Sequence, residues 1–111
     1  MGNRPYVIFW VGVKFTSALC QSSFREAFPE LDEYPPMVDG MEWKFQFVYD
    51  SGESAGCGVT IAQYDWDDGA IQPNLEGWRD KANELLPRVK ATLLARGISE
   101  EPHLYMNTRW W

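Results

Sequence analysis

The sequence predicts an α/β (more narrowly, α+β) fold, in which an antiparallel four-stranded sheet carries two helices on one face. Its 111 residues suffice for one domain with its own core. Apolar residues make up 45% of the composition and aromatic residues 15%, which is far from the composition of a disordered chain. Strand and helix patterns also follow one another in the order β-α-β-β-α-β. We therefore expect a single domain over residues 1–111.

The first predicted element is a strand over residues 6–15, YVIFWVGVKF. β-Branched and aromatic residues dominate it, and Gly12 is the one residue that weakens the strand prediction. Its odd positions are all apolar, and its even positions are mostly apolar too. Such a pattern predicts a central strand with both faces covered.

A helix is predicted next, capped by Thr16 or Ser17 and running to about Ala27. Ser23 and Glu26 have the spacing of a capping box and offer a later start. Apolar residues at helical spacing form its buried stripe: Cys20, Phe24, Ala27 and Phe28.

Pro29 should end this helix, because the residue before a proline is disfavoured in helical geometry. The acidic, proline-bearing segment 29–41, PELDEYPPMVDGM, is predicted to be a loop. Residues 43–50, WKFQFVYD, alternate as a strand does, with Lys44 and Gln46 on one face. The other face carries the aromatic residues Trp43, Phe45, Phe47 and Tyr49. After the turn DSGES, residues 56–65, GCGVTIAQYD, complete a hairpin.

The strongest helix signal covers residues 75–96. Its apolar residues recur three and four apart: Leu75, Trp78, Ala82, Leu85, Val89 and Leu93. Gly97 follows where a left-handed C-terminal cap belongs, and Ile98 can then contact Leu93. Pro87 removes one ladder hydrogen bond, so a kink or a break into two helices is expected. The tail HLYMNTRWW, residues 103–111, is predicted to be the last strand.

The resulting order is the split β-α-β pattern of ferredoxin-like folds. Helices cover one sheet face in that arrangement. Tyr6, Ile8 and Trp10 are predicted on the other face, where they must meet a second sheet, a loop, a ligand or a partner subunit.

The negative charge is concentrated in the middle of the chain. The net charge is -6, and Lys44 is the only cation between residues 26 and 68. That stretch holds eleven acids: Glu26, Glu30, Asp32, Glu33, Asp39, Glu42, Asp50, Glu53, Asp65, Asp67 and Asp68. A focused negative field repels nucleic acid and attracts basic protein surfaces. The alternative is that these charges only keep loops solvated.

Residues 65–76, DWDDGAIQPNLE, resemble a calcium-binding EF-hand loop in part. Asp65, Asp67 and Glu76 have the required offsets, but Ala70 stands where the sharp turn needs glycine. A strand also leads into the segment where an EF-hand needs a helix. We therefore expect an acidic turn with Asn74 capping the following helix, and no metal site.

No other motif indicates catalysis or a cofactor. Cys20 and Cys57 lack C-x-x-C spacing and a neighbouring histidine, so buried, reduced thiols are expected. A nucleophilic pair with His103, the only histidine, would need a third, orienting group that the sequence does not reveal. No spacing singles out a carboxylate pair for acid–base chemistry. No glycine-rich phosphate loop is present.

RNA-recognition motifs share the ferredoxin-like order and stack bases on aromatic residues of the open sheet face. Trp10 or Tyr6 could do so geometrically. The basic-Gly-aromatic signature of that motif is absent, however, and the net charge is negative, whereas an RNA-binding surface is positively charged. Direct nucleic-acid binding is therefore not expected.

No secretory signal pattern is present, and the longest apolar run, residues 6–13, is too short to span a bilayer. A cytoplasmic protein is expected. Of the six tryptophans, Trp66 lies in an acidic turn and Trp110 and Trp111 lie at the chain end, where aromatic residues are better placed for interfaces than for the core.

The first functional hypothesis is a non-catalytic, acidic interaction protein that docks on the basic surface of a toxin or a nucleic-acid-handling protein. In size, charge and fold it resembles small immunity proteins and phage-encoded inhibitors. The predicted partner-binding residues combine carboxylates with exposed aromatic rings: Asp65, Trp66, Asp67, Asp68, Glu30, Asp32, Glu33, Trp110 and Trp111.

The second hypothesis is a small homodimeric enzyme or ligand-binding protein that uses its open sheet face. A strand ending in Tyr64, Asp65 and Trp66 before an amphipathic helix is similar to dimeric α+β barrel proteins. That resemblance implies a dimer, and some proteins of that class act on aromatic or haem substrates. The chain offers only one histidine and no recognisable catalytic set for such a pocket.

Overall fold

The computed structural model describes residues 5–16, 18–47, 54–65 and 75–110. The elements run in the order β1 (Pro5–Lys14), α1 (Ala18–Ala27), a 3₁₀ helix (Pro29–Asp32), β2 (Met37–Val38), β3 (Met41–Phe47), β4 (Ser54–Asp65), α2 (Leu75–Ala95) and β5 (His103–Trp110). Within these ranges, no helix is long and apolar enough to cross a membrane.

The strands form one antiparallel sheet in the order β2-β3-β4-β1-β5. The prediction that the first strand is central is confirmed, because β1 lies between β4 and β5. The sheet has five strands rather than the predicted four, since the short β2 adds to the edge beside β3. A bulge at Ile61 on β4 shifts the register against β1 between Phe9 and Trp10.

The prediction of a loop over residues 29–41 is wrong in two places. The segment contains the 3₁₀ helix and then β2, which pairs with the start of β3. Asp39 and Gly40 connect β2 to β3 with φ of 52° and 77°. Positive φ at both central residues is what a type I′ hairpin turn requires, and Asp-Gly is its preferred pair. The Val-Asp-Gly-Met sequence therefore encodes a hairpin inside an otherwise loop-like composition.

Both helices pack into one core on the same side of the sheet. The core joins Phe24 and Phe28 of α1 and four residues of α2 with residues from four strands; its buried members are Val11, Val13, Phe24, Phe28, Val38, Met41, Trp43, Cys57, Val59, Ala82, Leu85, Val89 and Leu93. The ring of Phe28 stacks on Phe24 at 4.6 Å between centroids and lies 4.9 Å from that of Trp43. Phe24 and Phe28, from the predicted helical stripe, and Trp43, from the alternating strand, therefore meet at the centre of the fold.

The second helix runs without a break through Pro87, so the predicted alternative of two helices does not occur. Leu85 and Val89, on either side of the proline, are both buried in the same core, which holds the two halves together. The predicted cap at Gly97 is confirmed. Its φ is 79°, and the N–H of Ile98 donates to the carbonyl of Leu93 at 2.9 Å, which is the pattern of a Schellman motif.

The sheet face opposite the helices is less open than the sequence predicts. Ile8 is 7% exposed and Trp10 is 1% exposed, and they form a small second cluster with Tyr105. The ring centroids of Trp10 and Tyr105 lie 4.7 Å apart. A Cβ added at Gly56 would lie 2.6 Å from the Trp10 ring, so the glycine makes room for the indole. Tyr105 of the same sheet therefore helps to bury these two residues, which do not need a ligand or a partner subunit to cover them.

Candidate interaction surface

The predicted partner-binding residues fall into two groups. Glu30 and Asp32 on the 3₁₀ helix, and Glu33 directly after it, are described together with their side chains. For the rest, Asp65 and Trp110 are described only as strand residues, and Trp66, Asp67, Asp68 and Trp111 lie outside the described residues. The described carboxylates therefore determine which surface can be built from contacts.

Glu30 forms a partly exposed ion pair with Arg96, which follows the end of α2. The guanidinium makes a two-pronged contact, with Nη1 2.6 Å from Oε1 and Nη2 2.5 Å from Oε2. Nη1 also donates to the carbonyl of Ala27 at 2.9 Å, and the group lies over the ring of Phe28. Hydrogen bonding from Arg96 lowers the pKa of Glu30 from 4.5 to about 2. This predicted contact residue therefore anchors the segment that carries it.

Asp39, in the β2–β3 turn, is also used within the chain. Its Oδ2 accepts a hydrogen bond of 2.6 Å from the hydroxyl of Thr92, a residue of α2 that is 2% exposed. Arg88, one turn earlier on α2, donates to the Asp39 carbonyl at 3.5 Å. The 3₁₀ helix is thus bound by Arg96, directly after α2, and the turn is bound by Thr92 of α2. These contacts fix both ends of the segment between them.

Asp32 and Glu33, between these two anchors, and Glu42, on β3 just after the second, are exposed to solvent. Asp32 also lies 3.9 Å from the guanidinium of Arg25, in an exposed ion pair. Tyr34 follows Glu33 and is 96% exposed, and Met37 is 45% exposed and lies opposite Glu42 in the β2–β3 pair. We define the Tyr34 surface as five of these residues: Asp32, Glu33, Tyr34, Met37 and Glu42. It places one aromatic and one thioether side chain among three carboxylates on a well-anchored segment.

A shallow pocket of about 380 Å³ adjoins this surface. Its lining includes Glu33, Tyr34, Pro36 and Glu42, together with Lys44 of β3. The pocket walls thus combine an exposed aromatic ring with two carboxylates and one ammonium group. The carboxylates outnumber the ammonium group, so the lining favours a cationic side chain over an anionic one.

The structure does not bring the cysteines and the histidine together. Cys57 is buried on the helix side of the sheet, as expected, and burial raises the pKa of its thiol. His103 lies opposite Gly12 on β1, two positions from Tyr105 and on the face away from the helices. Cys20, on α1, is only partly buried and lines a second pocket of about 330 Å³. In the described part of the chain, no three metal-ligating side chains cluster.

Tyr34 and Met37 did not figure in the sequence prediction. The sequence favours tryptophans as interface anchors and predicts a loop over residues 29–41. A usable signal was the run Glu-Tyr-Pro-Pro-Met, in which an aromatic residue is followed by two residues that cannot continue a helix or a strand ladder. An aromatic residue held in such a connection has little chance of reaching the core.

Comparisons of the chain with models of protein families, with curated proteins and with solved structures find no match. The function is therefore inferred from the residues and contacts described above.

Proposed function

We propose that this chain is a non-catalytic, acidic binding module of the inhibitor or immunity type, which docks on a basic protein surface through the Tyr34 surface. The observation that carries the proposal is the 96% exposure of Tyr34 beside the exposed carboxylates of Asp32, Glu33 and Glu42. An exposed tyrosine ring leaves apolar surface in contact with water, which is unfavourable in a monomer. At an interface the same ring becomes an anchor.

The carboxylates and the apolar side chains contribute to binding in different ways. Carboxylates attract a basic partner over a distance of about one Debye length, so they raise the association rate and exclude acidic partners. Tyr34 and Met37 supply apolar area that is removed from water in the complex. The contacts of Arg96 and Thr92 hold the segment in place before binding, which lowers the entropy lost on association.

The proposal includes a ferredoxin-like domain, with β2 as an addition at the edge of its four main strands. Asp65, Trp66, Asp67, Asp68, Trp110 and Trp111 remain predicted partner residues, while Glu30 takes the supporting role of an anchor. We place the protein in the cytoplasm, where the thiols of Cys20 and Cys57 would stay reduced.

The alternative of a homodimer closed through the open sheet faces has less support. Such an interface needs a broad apolar face on the side away from the helices. Ile8 and Trp10 are already buried there within one chain, and Lys44 is exposed on the same face. Among the described residues, no three metal-ligating side chains cluster on that face.

The proposal is tested by affinity capture from the native host, followed by binding measurements with the purified captured protein at several salt concentrations. The variant Tyr34→Ala should weaken binding roughly thirtyfold, as the loss of an interface anchor does. The double variant Asp32→Lys and Glu33→Lys should slow association and flatten its salt dependence.

The matched control is the double variant Asp80→Lys and Glu100→Lys, which changes the net charge equally at exposed positions of α2 and of the loop before β5. This control should bind nearly as wild type does. Equal losses in both double variants would mean that net charge alone drives capture. A captured protein that binds all variants alike would contradict the proposal that the partner binds through the Tyr34 surface.

A further inference from the structure

The last strand, β5, forms one edge of the sheet. It is eight residues long and pairs with β1 on one side, and no described strand pairs with its other side. Such an edge presents unpaired backbone N–H and C=O groups, which form good hydrogen bonds with another extended strand. The opposite edge differs, because the two-residue β2 lies alongside the start of β3.

Apolar side chains lie along this edge on the helix side of the sheet. Leu104 and Met106 are opposite Val11 and Phe9 of β1, and they are 37% and 61% exposed. Leu94 of α2 is 56% exposed and lies one helical turn after Lys90, whose ammonium group is 3.0 Å from Glu101, just before β5. Long exposed edges with apolar side chains are rare in proteins that stay monomeric, because they invite strand pairing.

We infer that a second copy of this chain covers the edge, with the two β5 strands pairing antiparallel about a twofold axis. The charge distribution selects this occupant. Residues 102–110 carry no acidic side chain, whereas the opposite edge carries Glu33 and Glu42. The nearest carboxylates, Glu100 and Glu101, lie just before the strand, and Glu101 is paired with Lys90. Two copies with a net charge of -6 repel each other least along a strand that itself carries no carboxylate, because salt screens the more distant charges.

The geometry of antiparallel pairing also suits two identical strands. A pair centred near Tyr105 places Leu104 of one copy opposite Met106 of the other, on the helix side of both sheets. The contact is isologous, so it closes at two copies and leaves no further β5 edge free. The result is one continuous sheet of ten strands across the dimer, flanked by the two α2 helices.

The test is sedimentation of the full chain from low micromolar to near-millimolar concentration. Wild type should form a dimer in this range. Met106→Lys places a charge at the edge twice in each dimer and should weaken dimerisation by roughly a hundredfold. The matched control is Met37→Lys, which makes the same change at an exposed methionine on the opposite edge and should leave dimerisation within about twofold of wild type.

A wild-type chain that stays monomeric throughout, or a dimer that both lysine variants affect equally, would overturn the inference. Hydrogen exchange of wild type gives a second measurement that does not depend on how a variant folds. Amides of residues 103–110 should become better protected as concentration rises, while those of β3 should not. Exchange of β5 that is independent of concentration would also rule the pairing out.

Discussion

Arg96 shows how a single residue joins parts of the chain that are distant in sequence. It lies 66 residues from Glu30, yet its guanidinium contacts that carboxylate, the last carbonyl of α1 and the ring of Phe28. The side chains of the ion pair are 24% and 29% exposed, so water screens the pair only in part. The acidic segment is therefore fixed at the C-terminal end of α2, while the carboxylates of Asp32 and Glu33 remain exposed.

The depressed pKa of Glu30 predicts a specific acid dependence of stability. Since its pKa is about 2 in the folded chain against an ordinary 4.5, the carboxylate stabilises the fold fully above pH 4.5. This contribution is lost as the pH falls from 4.5 through 2. Glu30→Gln should therefore melt several degrees below wild type at neutral pH, and the gap should close towards pH 2 in thermal melts.

Glu100→Gln serves as the control, because it neutralises an exposed carboxylate outside the contacts of Arg96. Its melting temperature should follow that of wild type across the same range. A constant gap between wild type and Glu30→Gln down to pH 2 would show that the pair adds packing but no charge-dependent stability.

At the level of single residues, the sequence predicted less of the site than of the fold. The acidic run looked uniform, since spacing alone cannot tell that Glu30 and Asp39 are used internally while Asp32 and Glu33 are exposed. Their partners come from α2, which is brought near only by the folded core. The exposure of Tyr34 could not be predicted for the same reason, because it depends on the surrounding packing rather than on its neighbours in sequence.

Among the secondary-structure elements, glycines serve two different purposes. Gly97 ends α2 with a φ of 79°, and a Cβ there would meet nothing within 4 Å. Gly12 and Gly58 face each other across β1 and β4, and a Cβ on either would overlap a carbonyl oxygen of the facing strand, that of Cys57 or of Val11. The first glycine thus relieves backbone strain, and the other two allow close approach of strands.

These two roles predict different costs for the same substitution. Gly97→Ala should lower the free energy of unfolding by about 1 kcal/mol, the cost of a left-handed alanine in open space. Gly58→Ala should cost about 3 kcal/mol, because the strands must move apart to admit the methyl group. Urea denaturation of both variants measures the difference. Equal losses would contradict the close strand approach.

The elements themselves were predicted well where periodicity was long and local signals agreed. β1, β5 and both helices lie where their patterns placed them, and the cap at Gly97 was anticipated by residue type and position. The β2–β3 hairpin was missed, because acidic and proline residues outweighed an Asp-Gly pair flanked by only two strand residues on one side. The continuity of α2 through Pro87 excludes the predicted break into two helices, since burial of Leu85 and Val89 outweighs one lost hydrogen bond.

Across the whole molecule, the two proposed surfaces lie at opposite edges of the sheet. The Tyr34 surface is beside β2, and the dimer edge is β5, with β3, β4 and β1 between them. Four strand spacings of about 4.8 Å separate these edges by roughly 19 Å. The acidic edge therefore stays free in the dimer, and the two bound partners would lie on its outer ends.

This separation predicts that dimerisation and partner binding are independent. A dimer should bind two partner molecules, since the twofold axis at β5 leaves both Tyr34 surfaces accessible. Met106→Lys should give a monomer that binds one partner with an affinity within about twofold of wild type, because sites without shared contacts rarely couple. Tyr34→Ala should lose the partner but keep the dimer. Sedimentation of each variant with the captured partner measures both properties at once, and loss of partner binding in folded Met106→Lys would show instead that the β5 edge is part of the partner site.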